Sequence, residues 1–163
     1  MKEQILSWLD DDGREYKVSE QKSLNWLIQL KHGKRTVLLG NPEKNKKRLE
    51  VVYKLNVSDQ HKKVLKKLNK KQRSGFEKAL VMLLAEDSNI YNIQRDDDNL
   101  PDSIVIKKHL YEEELRRGLF FETIQYVVNL GMRTTVHFQS LGGAKVPDQE
   151  EVSSTKTGPS IYR

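Results

Sequence analysis

Cysteine is absent from this chain of 163 residues, which excludes disulfide bonds, thiolate zinc sites and a cysteine nucleophile. This absence is compatible with a reducing compartment, and we expect a cytoplasmic protein. Long apolar runs are missing as well, since no stretch approaches the roughly 18 residues that a membrane-spanning helix needs. The opening residues MKEQILSWLDDDG lack an apolar segment and a small-residue cleavage site, so we expect no signal peptide.

Recognisable catalytic motifs are also missing. The sequence contains no Gly-x-x-x-x-Gly-Lys-Ser/Thr loop, no Gly-x-Gly-x-x-Gly turn, no His-Glu-x-x-His and no Gly-x-Ser-x-Gly. The histidines are scattered and form no i, i+4 pair: His32, His61, His109 and His137. The acidic runs 10–12 and 96–98 lack the ligand spacing of a calcium loop and are interpreted as solvated turns. We therefore predict no catalytic residue, cofactor or metal, and keep an enzyme assembled from distant residues as a third hypothesis.

Positive charge is concentrated in one segment. Residues 44–73 contain twelve Lys or Arg and two acids, a local net charge of +10, whereas the rest of the chain has a net charge of −4. The protein is therefore a mildly acidic body with one basic block, which suits an acidic partner such as nucleic acid or an acidic protein surface.

Alternation of apolar and polar residues predicts the strands of a sheet. Alternation is clearest in Arg48–Val57, where Leu49, Val51, Tyr53, Leu55 and Val57 share one side. Strands are also predicted at 14–19, 24–31, 35–39, 89–95 and 103–108. The interpretation is one α+β domain, with a sheet of about five to six strands and helices packed on it.

Helical periodicity predicts the remaining elements. A helix over 2–11 carries Ile5, Trp8 and Leu9 on one face. Helices over 59–70 and 75–86 are separated by a polar hinge at 69–74, and whether the two are continuous is left open. We predict that Trp8 and Trp26 pack in the core rather than form a ligand platform. The domain is predicted to span 1–141, followed by a flexible polar tail over 142–163.

The last predicted helix, over 112–131, has an unusually wide apolar arc. It opens with three glutamates, and it either continues to about residue 141 or gives way to a strand at 134–136. A helix on one sheet needs only about 100° of apolar surface. Two interpretations of the surplus remain: it binds another protein, or it packs inside the monomer against the helix over 75–86. The predicted protein-binding anchors are Phe120, Phe121, Ile124 and Val128.

Five lysines form the opposite face of the helix over 59–70: Lys62, Lys63, Lys66, Lys67 and Lys70. They support an alternative function, binding of RNA or DNA, because lysines neutralise phosphates and release counterions. Against it stands the lack of stacking aromatics, since residues 44–75 contain only Tyr53. The plainer interpretation is a solvated helix face.

The order of elements resembles class I type III secretion chaperones, the related YbjN-like proteins and an uncharacterised archaeal domain family. The segments that carry the resemblance span residues 2–135: ILSWLDDDG, NWLIQLKHGKRTVLLG, RLEVVYKLNVSDQHKKVL, SGFEKALVMLL and SIVIKKHLYEEELRRGLFFETIQYVVNL. The resemblance implies an antiparallel sheet with helices on it and a non-enzymatic, chaperone-like or adaptor role in gripping another protein, often as a homodimer. Secretion chaperones tend to be acidic, so the basic block argues against a secretion role and is compatible with an acidic client.

Overall fold

A computed structural model describes residues 1–86 and 89–141. The predicted tail, 142–163, lies outside these residues. The described residues form four helices, α1 (Lys2–Asp11), α2 (Asp59–Lys67), α3 (Lys70–Leu84) and α4 (Arg117–Gln139). They also form six strands, β1 (Tyr16–Ser19), β2 (Leu24–His32), β3 (Arg35–Pro42), β4 (Arg48–Asn56), β5 (Ile90–Arg95) and β6 (Pro101–Tyr111). The predicted α+β class and antiparallel sheet are confirmed.

The strands form one sheet in the order β1-β2-β3-β4-β6-β5, and every neighbouring pair is antiparallel. The turn between β2 and β3 is a tight hairpin, in which Gly33 adopts a positive φ of 61°. Glycine adopts this conformation at no steric cost, so the hairpin can stay tight.

The helices bury their apolar faces in one core on one side of the sheet. Alternate β4 residues, Leu49, Val51 and Tyr53, belong to this core together with Ile5 of α1 and Phe120 of α4. The opposite side, which we call the helix-free face, carries Glu50 and Val52 of β4 and their neighbours in register. Leu27, Val52 and Val105 are buried there but lie outside the main core.

The hinge predicted at 69–74 is wrong. Asn69 caps α3 through a capping box, in which its Oδ1 accepts from Gln72 N at 2.9 Å and its N donates to Gln72 Oε1 at 3.1 Å. This reciprocal pair satisfies two backbone donors, so the helix begins at Lys70 and includes Gly75. The break from α2 lies at Leu68, whose backbone is extended.

The predicted start of α4 is also wrong, because the three glutamates precede the helix. The backbone N of Glu112 donates to Lys47 O at 2.8 Å, which extends the β4–β6 pairing, and Glu114 N donates to Tyr111 O at 3.0 Å. Residues 112–114 therefore form a turn, and α4 begins at Arg117. The helix runs through Gly131 to Gln139, so the strand alternative at 134–136 is wrong. The hydroxyls of Thr134 and Thr135 donate to helix carbonyls four residues earlier.

Candidate functional site

Three of the four predicted anchors on α4 lie in the core of the monomer. Phe120, Ile124 and Val128 are all at most 2% exposed, and only Phe121 is partly exposed. The expected free apolar surface is therefore absent at these three positions. What remains available for a partner is the edge of α4 around Phe121.

The wide apolar arc of α4 follows from its central position among the helices. On one flank the Trp8 ring of α1 packs against Phe120 with 5.7 Å between centroids. On the other flank Phe76 of α3 meets Phe138 edge-on at 5.2 Å. Both tryptophans lie against the core, as predicted, with Trp26 buried and Trp8 partly buried. The surplus apolar surface thus serves helix–helix packing as well as packing on the sheet.

A cleft of about 240 Å³ lies between the first turns of α4 and the β1–β2 edge of the sheet. Apolar side chains from the strand and the helix contribute to its lining, and polar side chains complete it. Its residues are Arg14, Leu30, His32, Phe121, Glu122, Ile124 and Gln125. The cleft thus includes two of the four predicted anchors, Phe121 and Ile124, and adds residues that the sequence did not single out.

The basic side of the cleft is built around Arg14. Its Nε donates to Asp12 Oδ2 at 2.6 Å, its Nη1 lies 3.4 Å from His32 Nδ1, and its guanidinium lies 5.9 Å from the centroid of the Phe121 ring. Burial lowers the pKa of His32, and the nearby guanidiniums of Arg14 and Arg35 lower it further. The lowered pKa favours the neutral imidazole, whose Nδ1 can accept from Arg14 when the proton is on Nε2.

The size of the cleft limits what it can hold. Pockets for drug-sized ligands are typically about 300–1,000 Å³. A volume of about 240 Å³ is below that range and suits one large side chain of another polypeptide rather than a large cofactor.

The predicted lysine face is divided by pairing within the molecule. Lys62 forms an ion pair with Asp102 and lies 3.8 Å from Asp96, and Lys66 pairs with Asp98. The hydrogen bond to Asp102 raises the pKa of Lys62, and the hydrogen bond to Asp98 raises that of Lys66. The acidic run 96–98, predicted as a solvated turn, therefore neutralises part of the basic helix.

The other three lysines of that face are exposed: Lys63, Lys67 and Lys70. Lys70 also lines a shallow groove on α3 with Arg73 and Lys78. In the groove wall Glu77 is paired with Arg95 at 2.9 Å. The structure thus retains a basic surface, smaller than the sequence predicted and extended onto α3.

A buried carboxylate on the helix-free face is a feature that the sequence did not reveal. Glu50, 2% exposed, accepts from Arg48 Nη2 at 2.8 Å and from Lys107 Nζ at 2.9 Å, and its Oε1 lies 3.3 Å from His109 Nε2. Burial would raise the pKa of Glu50, but His109, Lys107 and Arg48 together lower it to about 2. Glu50 and His109 face each other across β4 and β6, a register that no local pattern encodes.

His61 and His137 share an aromatic cluster around Phe138, apart from His32 at the cleft and His109 beside Glu50. His61 is buried, its Nδ1 is 2.7 Å from Ser58 Oγ, and its ring meets Phe138 edge-on at 5.7 Å. His137 stacks on Phe76 with 4.2 Å between centroids. Within residues 1–86 and 89–141, no three His, Asp or Glu side chains converge as metal ligands would. None of the helices described combines the length and apolar character needed to traverse a bilayer.

One family model and two solved structures are similar to this chain. A family model described as "Uncharacterized conserved protein (DUF2299)" matches residues 1–138. The crystal structure of an uncharacterised protein from Methanothermobacter thermautotrophicus superposes with a TM-score of 0.82 at 15% identity, covering 87% of this chain and 99% of that one. YbjN from E. coli superposes with a TM-score of 0.50 at 13% identity, covering 86% of this chain and 90% of that one. No curated protein matches the sequence. These identities show the fold alone, and they confirm the predicted resemblance to YbjN-like proteins.

Proposed function

Because the chain belongs to the DUF2299 family of uncharacterised conserved proteins, we propose its function from its geometry: a non-enzymatic domain that binds another polypeptide. The cleft beside α4 receives one bulky apolar side chain of that polypeptide. The observation that carries the proposal is the cleft itself, in which Phe121 offers a partly exposed aromatic ring beside polar groups, above a floor formed by the buried Leu30 and Ile124. Large side chains inserted into such pockets dominate many protein interfaces.

The test starts from the full chain and a random peptide library. Peptides selected on the wild-type protein are measured by calorimetry against Phe121→Asp and against Leu119→Asp. Leu119 is the matched control because it lies on α4, is 37% exposed and does not line the cleft. We expect Phe121→Asp to weaken binding at least about tenfold, since it places a charge at an apolar contact, and Leu119→Asp to leave it unchanged.

A second variant keeps the test valid if Phe121→Asp does not fold. Gln125 is exposed at the cleft, so Gln125→Trp should fold normally and obstruct the cleft. Peptides that bind both cleft variants as tightly as wild type would contradict the proposal. Light scattering on the same proteins identifies one possible occupant, because a dimer that dissociates only in the cleft variants would be a second copy of this chain.

We propose nucleic-acid binding as a second candidate function, supported by the exposure of Lys63, Lys67 and Lys70 and by the adjoining basic groove on α3. Fluorescence anisotropy with labelled RNA and duplex DNA should show binding that weakens steeply with salt. It should weaken with Lys63→Glu and Lys67→Glu and not with Lys22→Glu, an exposed lysine on another part of the surface. Binding that ignores both salt and these charge reversals would contradict this candidate.

A further inference from the structure

We infer that the polypeptide received by the cleft carries a carboxylate next to its bulky apolar side chain and that Arg14 binds this carboxylate. The inference rests on the proposed function and specifies the chemistry of its partner. The carboxylate belongs either to a free C-terminus or to an adjoining Asp or Glu. Both sources present the same planar anion to the guanidinium.

One nitrogen of the Arg14 guanidinium can still donate hydrogen bonds to a ligand. Its hydrogen bonds to the described residues use Nε, which donates to Asp12 at 2.6 Å, and Nη1, which faces His32 at 3.4 Å. Nη2 is therefore left for a ligand. The Arg14 side chain is 36% exposed, so an incoming carboxylate can reach it without unfolding the loop.

The Phe121 ring holds this cation beside the apolar part of the cleft. A guanidinium about 6 Å or less from a ring centroid is attracted by the ring quadrupole, and the Arg14–Phe121 separation is 5.9 Å. The same ring contributes to the cleft lining. An apolar side chain on Phe121 would therefore place a neighbouring carboxylate within reach of Arg14.

The other charged groups at the cleft favour one orientation of the ligand. Arg35 faces His32 across the β2–β3 hairpin, so the β2 side is positive overall even though Asp12 pairs with Arg14. Burial is the main cause of the lowered pKa of His32, and the charges of Arg14 and Arg35 lower it further. Glu122, on α4, is exposed and repels an anion from the helix side. The carboxylate is thus directed towards β2, and the apolar group towards Phe121.

The test uses three small probes that share a phenylalanine side chain. N-acetyl-phenylalanine carries a terminal carboxylate, N-acetyl-phenylalanyl-aspartate α-amide carries a side-chain carboxylate, and N-acetyl-phenylalaninamide carries none. Each is titrated into the full chain while amide NMR shifts are followed at the cleft residues. We expect at least one carboxylate probe to bind about tenfold more tightly than the neutral amide, with a preference that declines as salt rises.

Variants separate this inference from the proposed function. Arg14→Gln should abolish the preference for the carboxylate, whereas Arg117→Gln should keep it. Arg117 is a matched control, because its guanidinium is also exposed and paired with an aspartate but does not line the cleft. Equal binding of acids and amide, or a preference that survives Arg14→Gln, would overturn the inference and leave the cleft as a binding site. If no probe shifts the cleft residues, both the inference and the proposed cleft are overturned. A preference restricted to one acid identifies the source of the carboxylate.

Discussion

The two faces of the sheet are stabilised by different physics, although the same strands supply both. On the helix-covered face, β4 contributes Tyr53 and its apolar neighbours to a core shared by all four helices. On the helix-free face, the same strand contributes Glu50, which is buried among cations. Apolar packing depends on shape and volume, whereas a buried carboxylate depends on charge and hydrogen bonds. Substitutions and pH should therefore affect the two faces differently.

The largest expected effect is on the helix-covered face, at Gly131. A Cβ built at Gly131 would lie 2.2 Å from Tyr53 Cε1, and the Tyr53 side chain is 1% exposed and cannot move into solvent. Gly131→Ala should lower the free energy of unfolding by about 3 kcal/mol, the upper end of the usual cost of overpacking, measured by denaturant titration.

Gly75→Ala is the matched control, because a Cβ at Gly75 in α3 would meet nothing within 4 Å. It should instead stabilise the protein by about 0.5–1 kcal/mol, the helix propensity difference. If both substitutions behaved alike, close packing of α4 on Tyr53 would not be what makes this face sensitive. Tyr53→Leu in the Gly131→Ala background should recover part of the loss.

The next effect is on the helix-free face. Glu50→Gln should lower the free energy of unfolding by about 2 kcal/mol, because Arg48 and Lys107 lose the charge that offsets their partial burial. The pKa of Glu50 falls from 4.5 to about 2 on folding, so its ionised form stabilises the fold above pH 4.5. That contribution should disappear as the pH falls from 4.5 towards 2, and only in the wild type. Parallel stability curves for wild type and Glu50→Gln over this range would show that the carboxylate is not the stabilising group.

Between pH 7.5 and pH 5.5, a fall in pH should lower stability first through the helix-covered face. Burial lowers the pKa of His61, so the unfolded chain takes up a proton at higher pH than the folded one. The contribution of neutral His61 to the free energy of unfolding should therefore be fully present above pH 6.5. It should be lost as the pH falls from 6.5 through the pKa of His61 in the folded state. His61→Leu should reduce this slope between pH 7.5 and pH 5.5 in chemical denaturation. His32, whose pKa is also lowered, provides the comparison, because His32→Asn should leave the His61 part of the slope intact.

The smallest effect belongs to the ion pairs that hold α2 to the β5–β6 turn. Lys62→Met should cost about 1 kcal/mol or less, because its partner Asp102 is 49% exposed and water screens the pair. Lys63→Met, one residue away and exposed, should change thermal stability even less. A loss at Lys62 as large as that at Glu50 would mean that burial is not what separates strong from weak charge pairs in this protein.

The sequence predicted the helices and strands better than it predicted which of them pack against each other. Alternation in β4 placed Tyr53 and Val51 on the core side, and periodicity identified each helix that the described residues form. The apolar arc of α4 was visible, but a helical wheel does not show that α1 and α3 lie on either flank. The Asn69–Gln72 capping box was readable in the sequence and was missed.

The candidate cleft and the Glu50 cluster depend on pairings between distant parts of the chain. Phe121 and Ile124 were predicted to matter, but Arg14 and His32 reach them only after β1 and β2 pair. Likewise, Glu50 meets Lys107 only through the β4–β6 register. Such contacts follow from strand order, which the period of a local pattern does not determine.

The position of β6 also has a consequence for how fast the protein folds. Strands β1 to β4 pair with neighbours in sequence, so each hairpin closes a short loop. By contrast, β4 can pair with β6 only after the chain through α2, α3 and β5 has been drawn together. Loop-closure entropy is lost before those contacts form, so this pairing adds more to the contact order than any hairpin of the sheet. Formation of the β4–β6 ladder, which also completes the surroundings of Glu50, is thus the step expected to set the folding rate.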